Sequence, residues 1–226
     1  MKMMISKSSL TDLCIKQLKN LLIFNEDNEL EILKSSIDIA LKKVENNFNR
    51  NNIKYYSEKD RPLFNAFNSD QYTVFLYYLS NTIWKEGNPN LLADRIYYLN
   101  KILHSVDLFY EVNLPDYFVL SHPLGSVIGR GVYSNYFFFG QNCTVGGNKG
   151  FSPFFDERVA LLSGSKVVGN SRIGNNCIIS ANAYVKDTDI PNNSIVFGTS
   201  PNLIIKNQPK EYFESYFSNL FHNYCD

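Results

Sequence analysis

The sequence predicts an α+β protein: a helical N-terminal region is followed by a parallel β-helix with an extruded loop, and a C-terminal helix ends the chain. Two patterns carry this prediction, a helical spacing of apolar residues up to about residue 112 and a six-residue aliphatic repeat after it. Hydrophobic residues make up 44% of the 226 residues, which is enough for a sizeable core. We therefore expect three segments, residues 1–112, 113–206 and 207–226.

Four stretches of the N-terminal region carry apolar residues at helical spacing. They are LTDLCIKQLKNLLIF, NELEILKSSIDIALKKVENNF, SDQYTVFLYYLSNTIWKEG and NPNLLADRIYYLNKILHSVDLFY. Ser9 or Thr11 is the expected cap of the first helix, and the third helix begins at Ser69 or Asp70. Residues 46–62 are predicted as a polar connector. The apolar stripes contain no cluster of ligand-type side chains, so they predict core packing.

The segment LLSGSKVVGNSRIGNNCIISANAYVKDTD carries a branched aliphatic residue at every sixth position. These residues are Leu161, Val167, Ile173, Ile179 and Val185. Six is a multiple of the strand period, and Gly, Asn and Ser between the aliphatics are turn formers. Each unit therefore predicts one short strand and one turn, and stacked units form a parallel β-helix with an inward aliphatic ladder. A β-sandwich with accidental spacing is the alternative, which five positions in register disfavour.

The phase of the repeat breaks before Leu161. Tyr133, Phe139 and Val145 keep six-residue spacing among themselves but not with Leu161, so residues 147–158 are predicted to form the extruded loop. A second slip near residues 127–128 predicts one irregular corner. The segment IPNNSIVFGTSPNLIIK closes the β-helix. The tail PKEYFESYFSNLFHNYCD predicts an amphipathic helix that caps or packs on the open end.

Charge and composition argue against several classes of partner. The formal net charge is zero, which gives no bulk attraction to nucleic acid or to an anionic membrane. No apolar run is long enough for a membrane span, and the first residues do not resemble a secretory signal. Cys14, Cys143, Cys177 and Cys225 are expected to be packed thiols in a reducing compartment. We therefore expect a cytoplasmic protein without a nucleic-acid partner.

Four segments of the second half carry a resemblance to a known family. They are FVLSHPLGSVIGRG, NCTVGGNKG, KVVGNSRIGNNCIISANAYV and IPNNSIVFGTSPNLIIK. Through these four segments, residues from about 90 to 206 resemble the serine acetyltransferase branch of the hexapeptide acyltransferases. The resemblance implies a left-handed parallel β-helix and acetyl transfer from acetyl-CoA, a co-substrate, to a hydroxyl or an amine.

His122 matches the catalytic histidine of this branch. Removing a proton from an alcohol near neutral pH suits an imidazole, and a single base suffices when both substrates bind together. His104 and His222 lie in helical segments and are interpreted as structural. A metal enzyme on a β-helix would need about three histidines on adjacent coils, and the repeat region contains only His122, so we expect no metal.

The resemblance also implies how acetyl-CoA binds. It lies in a groove between neighbouring subunits, which implies a homotrimer and, through the helical region, a dimer of trimers. The position of Ser163 implies a backbone N–H beside the thioester carbonyl. Ala181 is expected to contact the pantetheine arm through its backbone, Lys186 lies close to a further contact, and Lys206 meets a CoA phosphate. The alternative for both lysines is a solvated surface charge.

The sequence departs from the family around the acceptor. Ser121 stands where the family has an aspartate, and Phe151 and Ser152 stand where it has an arginine and a histidine that hold the amino-acid substrate. The family aspartate that orients the imidazole aligns with Asn113, and the nearby carboxylates are alternatives. These carboxylates are those of Asp107, Glu111 and Asp116. The sequence therefore keeps the expected base, His122, but lacks the arginine and histidine that would bind the carboxylate of an amino-acid substrate.

We therefore predict an acetyl-CoA-dependent O-acetyltransferase, with His122 as general base, whose acceptor is a sugar hydroxyl of a surface polysaccharide or its precursor. Four aromatic residues near the site are candidates to stack on a sugar ring, with packing inside the coil as the alternative. They are Tyr133, Tyr136, Phe137 and Phe151. A serine O-acetyltransferase and an amino-sugar N-acetyltransferase remain alternatives, as does a non-catalytic scaffold.

Overall fold

A computed structural model describes residues 1–59, 61–87 and 90–222, so Cys225 lies outside the described residues. The described chain divides into two compact units. The first contains residues 1–49 and 54–111, and the second contains residues 50–53 and the chain from Val112 onward. None of the helices in the described ranges has the length and apolar character needed to cross a membrane.

The described part of the first unit contains four helices. They are α1 (Lys7–Leu21), α2 (Glu26–Phe48), α3 (Ser69–Lys85) and α4 (Asn90–His104). The predicted helices are confirmed, but Ser6 rather than Ser9 or Thr11 caps α1, because its extended backbone lets Oγ accept the Ser9 N–H at 3.0 Å. Helix α3 is buried along almost its whole length and forms the centre of this unit.

His104 has the structural role that the sequence predicted. Its Nδ1 lies 2.7 Å from the amide oxygen of Asn100, whose nitrogen donates to the Thr73 carbonyl. The Asn100 amide is thus oriented to accept from a neutral imidazole. Burial lowers the pKa of His104 to about 4, so the ring is uncharged at neutral pH.

A small sheet joins the start of the chain to the end of the predicted polar connector, residues 46–62. Its described strands are β1 (Lys2–Met3), β2 (Ser57–Glu58) and β3 (Arg61–Phe64), in the order β1-β3-β2. The strands are two to four residues long, too short to show a period in the sequence. Strand β1 also pairs with a segment about sixty residues away, which no local pattern can reveal.

The second unit is a parallel β-helix whose described strands stack into three faces. Face A contains β4 (Phe118–Leu120), β7 (Phe137–Phe139), β10 (Val159–Leu161), β13 (Cys177–Ile179) and the start of β15 (Ser194–Thr199). Face B contains β5 (Val127–Ile128), β8 (Thr144–Gly146), β11 (Lys166–Val168) and β14 (Tyr184–Lys186). Face C contains β6 (Val132–Tyr133), β9 (Phe154–Phe155) and β12 (Arg172–Ile173).

The six-residue repeat gives the predicted inward ladder. Val159 pairs with Cys177, eighteen residues later, so one regular coil consists of three six-residue units. Leu161, Val167 and the three aliphatics that follow at six-residue steps have no exposed surface. Phe155 occupies the preceding position of the same ladder, so the repeat begins one unit earlier than the aliphatic pattern indicates.

The extruded loop is smaller than predicted. Phe137 pairs with Val159, twenty-two residues later, so this coil is four residues longer than a regular one. The extra residues form a tight hairpin in which Asn148 and Phe151 exchange two backbone hydrogen bonds of 2.9 and 3.0 Å. Lys149 and Gly150 at its tip have positive φ, as in a two-residue hairpin turn. The predicted loop, residues 147–158, therefore includes strand β9. Its residues, Phe154 and Phe155, are aromatic, so a search for aliphatic residues at six-residue spacing does not find them.

The C-terminal segment closes the β-helix and then returns along its side. Strands β15 and β16 (Asn202–Asn207) form an antiparallel hairpin, and α5 (Lys210–Ser218) follows. Helix α5 packs on the outer surface of face A, so its expected place on the open end was wrong. Phe213 and Phe217 are buried there against Val119, Ala160 and Ile178. The strands of face A are apolar on both sides, so their outer surface also requires a cover.

Candidate active site

The corner between faces A and B of the first coil carries His122. Leu120 pairs with Phe139, nineteen residues later, whereas Val127 pairs with Thr144, seventeen residues later. The corner between them is therefore two residues longer than the same corner of the next coil, and His122 lies in this insertion. Its φ is +50° and its side chain is exposed, so the imidazole is on the outer surface of the corner.

Gln141, Ser163 and Ala181 stack in the same corner of the following coils. Phe139, Leu161 and Ile179 are paired in neighbouring strands of face A, so the residues two positions after each of them lie above one another. Neighbouring strands are about 4.8 Å apart. Ser163 is thus roughly 10 Å along the corner from the coil of His122, and Ala181 is one coil further.

The peptide N–H groups of this column point out of the corner. The Leu162 carbonyl accepts the Ser165 N–H at 3.0 Å inside the turn, and the Ser180 carbonyl accepts the Ala183 N–H at 3.0 Å. The peptide bond is planar and trans, so the N–H groups that follow, those of Ser163 and Ala181, point the opposite way. Neither N–H has an acceptor among residues 1–59, 61–87 and 90–222. Both are available to a ligand.

Gly140, in the preceding coil, borders the Ser163 nitrogen. A Cβ at position 140 would lie 3.7 Å from that nitrogen, at ordinary van der Waals contact, so the glycine keeps side-chain atoms away from this donor. The corner thus combines an outward backbone donor, a neighbouring glycine and an exposed imidazole. A developing oxyanion needs such a donor, and a hydroxyl nucleophile needs a base.

Lys206 lies beside face A, beyond the last coil and near the far end of this corner. It is on β16 opposite Ile195, and its Nζ is 5.4 Å from the centre of the Phe197 ring. Phe197 follows Val196, which pairs with Ile179, so this ring is one coil beyond Ala181. His122, Ser163 and Ala181 thus share one edge of the β-helix, and the Lys206 side chain extends along face A toward Phe197 near the far end of that edge.

Lys186 and the hairpin lie on another corner. Lys186 ends β14 of face B, where its N–H donates to Ser200 Oγ at 3.0 Å. The hairpin extends from the same corner between faces B and C, and Asn148 donates to the Asp187 carboxylate at 3.0 Å. Phe151 is 57% exposed. Within one chain, these residues are not brought together with His122.

The chain resembles serine acetyltransferases in both sequence and structure, although no family model matches it. The serine acetyltransferase of Buchnera aphidicola subsp. Acyrthosiphon pisum is 28% identical over 145 residues, covering 61% of this chain and 52% of that one. The structure of Neisseria gonorrhoeae serine acetyltransferase superposes with a TM-score of 0.69 at 19% identity, over 93% of this chain and 84% of that one.

A serine acetyltransferase from Brucella abortus strain S19, solved in complex with coenzyme A, gives a TM-score of 0.65 at 17% identity, over 91% of this chain and 83% of that chain. The fold is that of the serine acetyltransferases. It consists of N-terminal helices, a left-handed parallel β-helix and a C-terminal helix. The chain spans about half the length of the curated relatives it matches.

Three of the four aromatic residues proposed for sugar stacking are inside the protein, which contradicts that role. Tyr133 stacks on Phe155 within the coil, with ring centres 5.2 Å apart and planes 8° apart. Phe137 is buried beside both, and Tyr136 packs edge-on against Phe221 under the C-terminal segment. Tyr133 and Phe137 point into the coil and Tyr136 is covered by the C-terminal segment, so Phe151 alone of the four is exposed.

Asp107 is engaged within the first unit and is a poor candidate to orient His122. Its carboxylate accepts the Tyr97 hydroxyl at 2.8 Å and the Lys101 ammonium at 2.6 Å. Which group orients the imidazole stays a prediction. Across the ranges that the structure describes, no three His, Cys, Asp or Glu side chains cluster as a metal site would require.

Gln141 is the member of the corner column that sequence reasoning missed. It occupies the position of Ser163 one coil earlier, but the two are twenty-two residues apart because the hairpin lies between them. Counting back from Ser163 by a regular coil of eighteen residues leads to the wrong residue. A search that allowed a four-residue insertion between Val145 and Phe155 would have found it.

Proposed function

We propose that the chain is an acetyl-CoA-dependent O-acetyltransferase with His122 as its general base. The observation that carries this proposal is the outward Ser163 N–H, which borders Gly140 and lies in the corner that carries the exposed His122. The similarity to serine acetyltransferases supports it, and one of the similar structures is a complex with coenzyme A.

The reaction is a direct transfer. His122 accepts the proton of the acceptor hydroxyl while the hydroxyl oxygen bonds to the thioester carbonyl carbon. The carbonyl oxygen gains negative charge, which the Ser163 N–H stabilises by donating to it. The carbon–sulfur bond then breaks, and the proton on the imidazole passes to the departing CoA thiolate. His122 returns to its neutral form and the acetyl ester is released.

Acetyl-CoA follows the corner in this proposal. Its thioester lies at Ser163, its pantetheine arm passes the Ala181 N–H, and its phosphates reach Lys206 at the far end. Lys186 is on another corner, so its contact with CoA requires a neighbouring subunit that brings it to the groove. The Gln141 N–H is an additional backbone donor between His122 and Ser163.

L-Serine is the first candidate acceptor, because the named relatives and similar structures are serine acetyltransferases. They favour serine over the sugar acceptor that the sequence predicted. One observation keeps a sugar hydroxyl, such as that of a surface polysaccharide, as second candidate. The hairpin presents Phe151 and Ser152, neither of which can form an ion pair with a substrate carboxylate. Serine would therefore bind weakly.

A thiol-release assay from acetyl-CoA, with serine compared to a panel of sugars and oligosaccharides, tests both candidates. We expect saturable release with serine at a KM raised by the missing ion pairs. The double variant Phe151→Arg, Ser152→His should lower that KM roughly 10- to 100-fold, because a charged hydrogen bond contributes about 1.5–3 kcal/mol.

The outcomes of this assay separate the alternatives. Saturable release with a sugar and none with serine would favour the second candidate. No thiol release with any of the acceptors, together with no binding of acetyl-CoA, would contradict the enzyme proposal and favour a scaffold. His122→Ala is the control that shows that the release depends on the proposed base.

A further inference from the structure

The interior of the corner between faces A and B contains a stack of small, mostly polar side chains. One such residue from each coil lies directly behind the outward N–H column, and all are buried. They are Ser126, Cys143, Ser165 and Ala183. Ser126 Oγ accepts the Cys143 N–H at 3.0 Å and donates to the Gly140 carbonyl at 2.7 Å. The stack therefore contacts the backbone of the corner from inside.

Cys143 is hydrogen-bonded to the peptide that bears the Ser163 N–H. Its Sγ donates to the Leu162 carbonyl oxygen at 3.2 Å, and the carbonyls of Leu161 and Gln141 are further away, at 3.5 and 3.6 Å. The Leu162 oxygen also accepts the Ser165 N–H at 3.0 Å. Two donors thus hold this oxygen inside the turn, which aims the opposite end of the same peptide outward.

The thiol is a dependable donor in this place. Burial raises the pKa of Cys143, so the side chain stays protonated at neutral pH. Without it, the Leu162 oxygen keeps a single donor, and the peptide can tilt so that its carbonyl gains water. Such a tilt changes the direction of the Ser163 N–H, and oxyanion stabilisation depends on that direction.

We propose that Cys143 is a positioning residue whose thiol holds the Leu162 carbonyl inside the corner and thereby aims the Ser163 N–H at the reacting carbonyl. Ser126 does the same for the Gly140 carbonyl and the Gln141 N–H. The catalytic consequence of this inference rests on the proposed acetyl transfer. The effect on the direction of the N–H does not.

Cys177 provides a matched control. It is also a fully buried free thiol inside the β-helix, and its Sγ donates to the Pro191 carbonyl at 3.2 Å. It begins β13, at the corner between faces C and A, away from the N–H column. Replacing either thiol by valine removes one buried S–H donor from the same kind of environment.

The kinetic test compares Cys143→Val, Cys143→Ser and Cys177→Val. We expect Cys143→Val to lower kcat roughly tenfold, since the oxyanion donor is misdirected rather than removed, with the KM for acetyl-CoA within about twofold. The hydroxyl of Cys143→Ser should restore most of kcat. Cys177→Val should keep kcat within about twofold, even if it lowers the Tm as much as Cys143→Val does. Equal losses of kcat in both valine variants would overturn the proposal.

A second test does not depend on turnover. In amide NMR spectra of the deuterated protein, Cys143→Val should shift the Ser163 amide resonance and leave that of Ala181 in place. Ser126→Ala should shift the Gln141 resonance. An unchanged Ser163 amide in Cys143→Val would refute the positioning role. If the wild-type chain transfers no acetyl group but these shifts occur, the proposed function fails and the positioning role stands.

Discussion

At the residue scale, the site depends on where the backbone places ordinary groups. His122 has a left-handed backbone conformation, which His adopts more readily than most residues, and it occurs in a corner lengthened by two residues. In the proposed reaction, the Ser163 N–H can serve as a donor because the Leu162 carbonyl of the same peptide is tied inward. Neither residue carries an unusual side chain, so the proposal depends on the exposure of His122 and on the direction of the Ser163 N–H.

His122→Ala is expected to lower kcat roughly 10²- to 10⁴-fold with almost no change in affinity for acetyl-CoA, because a general base acts on the proton transfer alone. Steady-state thiol release and titration with CoA measure the two effects. Lys206→Ala is the matched comparison at the other end of the corner. It should raise the KM for acetyl-CoA with kcat retained, because a phosphate contact is equal in ground and transition states. Near-normal turnover of His122→Ala would remove this residue from the mechanism.

At the element scale, the two sides of face A explain the C-terminal helix. A strand such as Phe118–Leu120 is buried on both sides, unlike the strand Lys166–Val168 of face B, which alternates between inward and outward residues. The apolar outer surface of face A needs a cover, and the aromatic side of α5 supplies it. Residues 50–53 add hydrogen bonds to the end of this segment, with the Asn52 N–H donating to the Leu220 carbonyl at 2.9 Å.

Phe217→Ala should destabilise the protein by about 3–5 kcal/mol, because it removes a fully buried ring from this contact and leaves a cavity. Chemical denaturation gives the free energy of unfolding. Tyr212→Ala on the same helix is the control, since Tyr212 is 47% exposed, and its expected change is within about 1 kcal/mol. A similar small change for Phe217→Ala would mean that α5 is not held on face A in solution.

At the scale of the whole molecule, the β-helix leaves apolar side chains exposed on the faces that α5 does not cover. Val127 on face B and Val132 on face C are 42% and 54% exposed, and Phe151 extends from the corner between these faces. His122 and the hairpin are on different corners of one chain. A second chain is therefore needed if both are to face one acceptor.

We expect a homotrimer of about 78 kDa, three times the chain mass of 26.0 kDa, with about 156 kDa if two trimers pair. Light scattering coupled to size-exclusion chromatography measures this mass directly. A strict monomer that still turns over acetyl-CoA would contradict the shared groove and leave the hairpin without a part in acceptor binding.

The cytoplasmic location that the sequence analysis expects stays a prediction.

The sequence by itself determined the class of each segment, the inward ladder from Leu161 to Val185, and His122 as the candidate base. These follow from local causes, since the strand period decides which side chains point inward and imidazole chemistry decides which residue can be a base. Only the tertiary structure decided the size of the hairpin, the inward place of Tyr133, the position of α5 and the membership of Gln141 in the corner. The hairpin and the corner column depend on which coils are neighbours, and four inserted residues are enough to hide that register from a periodic pattern. The position of α5 depends on contacts between segments that are distant in the sequence.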